Sequence, residues 1–149
     1  MARVRRRHRA ALFVCFLIYL AALGYFLFFA ESFGRQDSGD YRFNLELFRE
    51  IRRFYQHREA LGFQAFAVNI VGNIIAFVPF GFLLPFLFGK RCGVLPILVL
   101  GAFFSFCIET VQYYTRLGSF DVDDILLNTA GCLLGYILFR LVLILLERR

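Results

Sequence analysis

The sequence is poor in the residues from which active sites and metal centres are usually assembled. Its 149 residues include two histidines, four cysteines, three prolines, one methionine and no tryptophan. His8 and His57 are far apart and sit in strongly charged surroundings, so neither is assigned a metal. No serine or cysteine nucleophile stands beside a histidine, and there is no HExxH pair and no glycine-rich phosphate loop. Cys15, Cys92, Cys107 and Cys132 form no C-x-x-C pair and lie in or beside apolar stretches. They are expected to be small packing or lipid-facing residues rather than a disulfide or metal framework. Internal repeats and low-complexity stretches are also missing.

What is abundant is apolar surface: 60% of the residues are hydrophobic and 21 are Phe, against 17 basic and 11 acidic side chains that give a net charge of +6. Four apolar windows, residues 10–30, 66–88, 94–114 and 125–146, contain only two of those charges, Glu109 and Arg140. A helix of ~20 apolar residues spans the ~30 Å hydrocarbon slab, so each window reads as a transmembrane helix. The expected fold is all-α: an integral membrane four-helix bundle forming a single domain over residues 1–149. This segregation excludes a soluble globular domain, a nucleic-acid binder and a disordered tail. The basic balance becomes a topology signal before it is a ligand signal.

Arg3, Arg5, Arg6, Arg7 and Arg9 precede an apolar stretch longer than the ~7–15 residues of a cleavable signal, which predicts an uncleaved anchor. Lys90, Arg91, Arg148 and Arg149 fall on the same side, so both termini are expected in the cytoplasm. The first loop, residues 31–65, and the short loop, residues 115–124, then lie outside. Within the first loop, residues 31–40 read as a polar linker. Residues 44–58 read as an amphipathic helix with Leu47, Phe48, Ile51, Phe54 and Tyr55 on one side. Arg49, Arg52, Arg53 and Gln56 occupy the other. Such a helix suits the outer membrane surface, with its arginines among lipid phosphates; packing as a lid over the bundle is the alternative.

Polar residues inside the windows carry the remaining information, because they are costly in hydrocarbon unless partnered or functional. Asn69 and Asn73 share one face of the second helix, ahead of Pro79, Gly81 and Pro85, where a kink is expected. Ser105, Glu109, Gln112 and Arg116 form one stripe on the third helix. The fourth helix is expected to begin after Asp121, Asp123 and Asp124, with a stripe of Asp124, Asn128, Gly131 and Gly135. The glycine pair permits close contact with a neighbour in the bundle or with a second copy. Under the expected topology the three stripes converge in the outer half of the membrane. Asn and Ser there can simply be interhelical hydrogen bonds worth ~0.6 kcal/mol. Glu109 costs ~2.5–3.5 kcal/mol at a helix centre and needs a partner, with Arg116 or Asn73 within reach, or a job. Arg140 lies near the cytoplasmic end and can snorkel there.

The ordered blocks are the run from Asn69 through Asn73, Phe77, Pro79 and Gly81 to Pro85, then Ser105, Glu109 and Gln112, then Arg116 with Asp121, Asp123, Asp124, Asn128 and Gly131. They resemble the VanZ-like family of membrane proteins across nearly the whole chain. The segment from Phe43 to Phe48 also resembles that family's Asn-Leu-x-Pro-Phe block, except that Leu47 stands where the family usually has Pro. That departure favours a continuous helix after Asn44. The resemblance implies a role in the envelope of a bacterial cell. Through the glycopeptide-resistance accessory protein for which the family is named, it also implies lowered susceptibility to teicoplanin-type antibiotics.

Two mechanisms stay open. In the first, Arg49, Arg52, Arg53 and Arg116 pair with phosphates of membrane lipids or of a lipid-linked cell-wall precursor, while Asn69, Asn73, Ser105, Gln112 and Asn128 hydrogen-bond its headgroup. In the second, Glu109 is the general acid or base of an enzyme on such a substrate, and Asp121, Asp123 and Asp124 hold a divalent cation. Capping the helix they precede is the simpler role for those aspartates. No cofactor is expected. Transport lacks a polar chain continuing to the cytoplasmic side, where only Arg140 is available.

Overall fold

In chain order, the computed structural model contains α1 (Ala2–Phe29), β1 (Phe43–Asn44), α2 (Arg49–Gln56), a π-helical segment (Ala67–Val71), α3 (Gly72–Phe88), α4 (Val94–Thr115), β2 (Phe120–Asp121) and α5 (Val122–Glu147). The structure describes residues 2–29, 43–57, 67–89 and 92–148. The linker read at residues 31–40, the basic pair Lys90 and Arg91, Arg58 and Arg149 lie outside the described residues. Four stretches, Ala10–Phe28, Asn69–Phe88, Val94–Thr115 and Val122–Glu147, are long and apolar enough to cross a membrane. They match the four apolar windows to within a few residues.

Hydrogen bonds between helices fix their directions. The Tyr19 hydroxyl donates to the Ala76 carbonyl at 2.7 Å, and Gln112 Nε2 donates to the Leu27 carbonyl at 3.2 Å. The end of α1 therefore meets the start of α3 and the end of α4. Asn73 Nδ2 donates to Asp124 Oδ1 at 2.6 Å, which joins the starts of α3 and α5. At the opposite end the Tyr136 hydroxyl donates to the Cys92 carbonyl and accepts from Arg140. Successive long helices are thus antiparallel, and α3 and α5 run parallel. The end that carries β1, α2 and β2 is called the head.

The α3–α5 pair is the tightest contact. A Cβ at Gly131 would overlap the Ile74 carbonyl, one at Gly135 the Val78 carbonyl, and one at Gly81 the Cys132 carbonyl. The two backbones therefore touch, as small residues allow where no hydrophobic force drives helices together in lipid. The glycine pair on α5 is used inside the bundle. Cys132 is wholly buried where Gly101 of α4 closes against it. Phe77, Phe80 and Phe104 fill the centre, with the Phe80 and Phe104 rings stacked 4.9 Å apart. Pro79 and Pro85 lie inside the uninterrupted α3. Leu95, Val99, Phe103, Leu141 and Leu145 stay exposed on the outer faces, as lipid-facing residues would.

Two expected boundaries move. The last helix begins at Val122, so Asp123 and Asp124 belong to its first turn instead of preceding it. The cause is Asp121, whose extended backbone and side chain cap the helix by accepting the Asp123 N–H. The amphipathic helix begins at Arg49 and not at Asn44. Phe43 and Asn44 pair as a strand, and Phe48 adopts a left-handed conformation with φ 64° that a helix cannot continue through. Leu47 and Phe48 consequently precede the helix whose apolar face they were expected to share, and the turn after Asn44 forms without the proline.

The glycine seam makes a direct prediction. Gly135→Ala should cost about 1–3 kcal/mol by overpacking and lower the melting temperature in detergent. Gly24→Ala, where nothing lies within 4 Å of the added methyl, should leave it unchanged or slightly raised.

Candidate polar site at the head of the bundle

The head is built from the short strands. β1 pairs parallel with β2 in the register Phe43 with Phe120 and Asn44 with Asp121. Alternation along a strand turns Asn44 and Asp121 inward and leaves Phe43 outward. Asn44 Nδ2 donates to Asp121 Oδ1 at 3.0 Å, and Asn44 Oδ1 accepts the Glu46 N–H at 3.1 Å, closing the turn that follows β1. Asp121 Oδ1 also accepts the Asp123 N–H at 2.8 Å. From below, Glu109 Oε2 accepts the Asp121 N–H at 2.9 Å. The buried acid of α4 therefore holds the strand that leads into α5.

Asp123 does the corresponding work for α2. Its Oδ1 accepts the Phe48 N–H, and its Oδ2 accepts the N–H groups of Glu50 at 2.8 Å and Ile51 at 3.4 Å. Phe48, the residue before α2, offers no side-chain cap. The carboxylate of a distant helix supplies what a Ser or Asp at that position would otherwise provide, and it suits the positive end of the helix dipole. Asp123 is completely buried.

One turn further into the membrane, Asn128 Nδ2 donates to Ser105 Oγ at 2.8 Å, with both residues buried. Among the described residues, Asn128 Oδ1 is the buried side-chain polar atom left without a hydrogen-bond partner. An oxygen in that state accepts readily from a small donor such as a hydroxyl or a water.

Of the residues expected to form a site, Asn73, Ser105, Glu109, Asp121, Asp123, Asp124 and Asn128 come together at this end. Asn73 bonds to Asp124. Gln112 is buried against the end of α1. Asn69 is exposed in the π-helical segment, and Arg116 is exposed in a left-handed C-cap with φ 59°. Arg49 and Arg52 are exposed on α2, and Arg53 pairs with Glu50 at 2.8 Å. The three aspartates face different partners, and no group of three or more His, Cys, Asp or Glu that could hold a metal occurs among the described residues. Asn44 and Glu50 belong to this site although neither stood out in the sequence. The bond from Asn44 to Asp121 crosses 77 positions, and only the family-like block around Asn44 hinted at it.

Burial raises the Asp121 carboxyl above its ordinary range, opposed by the Asp123 N–H and the Asn44 amide. Burial also raises Glu50, opposed first by Arg53.

A multi-pass helical membrane protein whose first loop is bonded back onto its last helix is the class these features define. The sequence matches the VanZ/LLP1 family over residues 16–144, and the chain belongs to that family. The curated Protein VanZ of Enterococcus faecium is 32% identical over 93 residues, a stretch covering 59% of this chain and 57% of that protein. The similarity thus spans little more than half of that relative's length. No solved structure matches the chain.

Two measurements test the head. Asp123→Asn replaces one of two accepting oxygens by an NH2 group that faces backbone N–H. At about 1–3 kcal/mol for buried donors left unpaired, amide exchange at Phe48, Glu50 and Ile51 should accelerate roughly tenfold or more. Asp121→Asn, which keeps the one oxygen that is bonded, should change it far less. For pH, both Asp121 and Glu50 are raised on folding. Their contribution to docking of residues 43–57 is then fully present below the ordinary values of 3.8 and 4.5 and is lost as pH rises through the higher folded values. Exchange protection of that segment, corrected for intrinsic rates, should fall across this interval and do so less in the Glu50→Gln, Asp121→Asn double variant.

Proposed function

We propose that the chain is a protein of the bacterial cytoplasmic membrane that binds the headgroup of a lipid or lipid-linked cell-wall precursor at the outer leaflet. In this reading both termini are cytoplasmic and the head faces outward. The observation that carries it is the docking of α2 by Asp123, which holds Arg49 and Arg52 exposed at the rim of the head. A guanidinium fork matches phosphate oxygens in pairs, and two of them one turn apart suit a phosphate or diphosphate. The open acceptor of Asn128 beneath would take a hydroxyl or a water. Lowered susceptibility to teicoplanin-type glycopeptides follows where the shielded headgroup is the one the antibiotic engages.

The enzyme reading has less support, because one oxygen of Glu109 already carries the Asp121 N–H and the residue is 2% exposed. Protein in nanodiscs should retain a lipid-linked precursor in a pull-down, and the Arg49→Gln, Arg52→Gln double variant should weaken retention roughly tenfold or more, given ~1.5–3 kcal/mol for each charged hydrogen bond. Equal retention by wild type and variant would remove the phosphate role. Glu109→Gln keeps an oxygen for the Asp121 N–H and should preserve most binding. A lipid species that appears or disappears only with active Glu109 would favour the enzyme.

A further inference from the structure

The corner between β1 and α2 is unusual for its exposed apolar content. Phe43, Leu45, Leu47 and Phe48 occupy four of six consecutive positions and are all between 48% and 67% exposed. Singly such residues need no explanation, but a contiguous patch marks a surface that is covered by something. Three observations say what covers it. The strand register sets Phe43 beside Phe120, and the Phe120 ring packs edge-on at 5.7 Å against Phe106, which is exposed on the outer face of α4. An apolar strip therefore runs from the membrane-spanning surface to the corner. Arg49 and Arg52, exposed on α2, follow it immediately and complement anionic phosphate. Tyr25, Tyr55 and Tyr114, all strongly exposed, lie at the same end, where tyrosines mark the boundary between lipid and water.

The corner is also bonded to the bundle. Phe48 adopts a left-handed backbone that is unfavourable for a non-glycine residue, and its N–H is bonded to the buried Asp123 carboxylate. The exposure of Leu47 and Phe48 is thus imposed from inside the bundle.

We propose that this corner is a wedge inserted into the bilayer the chain spans, with Leu45, Leu47 and Phe48 among the acyl chains and Arg49 and Arg52 at phosphate level, locked in place by Asp123. It rests on the chain being a membrane protein and not on the headgroup reading above. The wedge can be present in a protein that binds no precursor.

The chain contains no tryptophan, so Leu47→Trp and, separately, Phe48→Trp each make a single-tryptophan reporter. In vesicles of phosphatidylcholine and phosphatidylglycerol, emission should be blue-shifted, quenched by phosphatidylcholine brominated on the upper acyl chain, and insensitive to iodide. Quenching by iodide without quenching by bromolipid overturns the wedge, and so does protection from both, which would mean cover by a second copy or another protein. Adding Asp123→Asn to the Leu47→Trp reporter should roughly halve bromolipid quenching. Phe103→Trp, on the outer face of α4, should remain fully quenched with Asp123→Asn and shows that the bundle is still folded. Undiminished quenching of the Leu47→Trp reporter with Asp123→Asn overturns the lock.

Discussion

The carboxylate of Asp123, buried at the start of α5, accepts three backbone N–H groups from a segment more than seventy positions earlier. The rest of the head depends on it. It caps α2, fixes the left-handed turn at Phe48 and so sets where the arginines of α2 stand. Its own N–H is held by Asp121, which caps α5 and binds Asn44. Two carboxylates two positions apart thus begin two different helices, one local and one remote. Both sit near positive helix ends. At Asp121 burial outweighs its hydrogen bonds and raises the carboxyl.

Glu109 anchors this arrangement from within the membrane. An acid in a spanning helix must be compensated, and the Asp121 N–H supplies part of that compensation. The same geometry makes the acid part of the scaffold on which the head is mounted. The α5 stripe then reads as one continuous contact line: Asp124 on Asn73, Asn128 on Ser105, and below them Gly131 and Gly135 against the α3 backbone. Polar bonds hold its upper part and close backbone approach holds its lower part.

Hydropathy made the four spans legible, because a window of twenty apolar residues has few other uses. Helical spacing made the three polar stripes legible, since positions three and four apart must share a face. What could not be read was pairing across long stretches of chain. A two-residue strand has no periodicity to detect, and the capping of α2 by Asp123 leaves no mark in either local sequence. The helix expected from Asn44 failed for the same reason. Its apolar spacing continues through Leu47 and Phe48, while the bonds that turn the chain there come from residues 121 and 123. The family-like block around Asn44 was the better guide, and the turn there forms with Leu47 in the position of the proline.

The parallel α3–α5 seam bears on how the chain is assembled. Consecutive antiparallel helices can pair as they emerge, but α3 has its closest partner two crossings later, where glycines of α5 close on its carbonyls at Ile74 and Val78. Until α5 is made, α3 and α4 lie in the membrane without their central element. Asp123, Asp124 and Asn128 arrive on the first turns of α5, directly after Asp121, so seam and head are completed together by the fourth span. A nascent chain halted before residue 122 carries three of the four spans but lacks both the glycine seam and the carboxylate that caps α2.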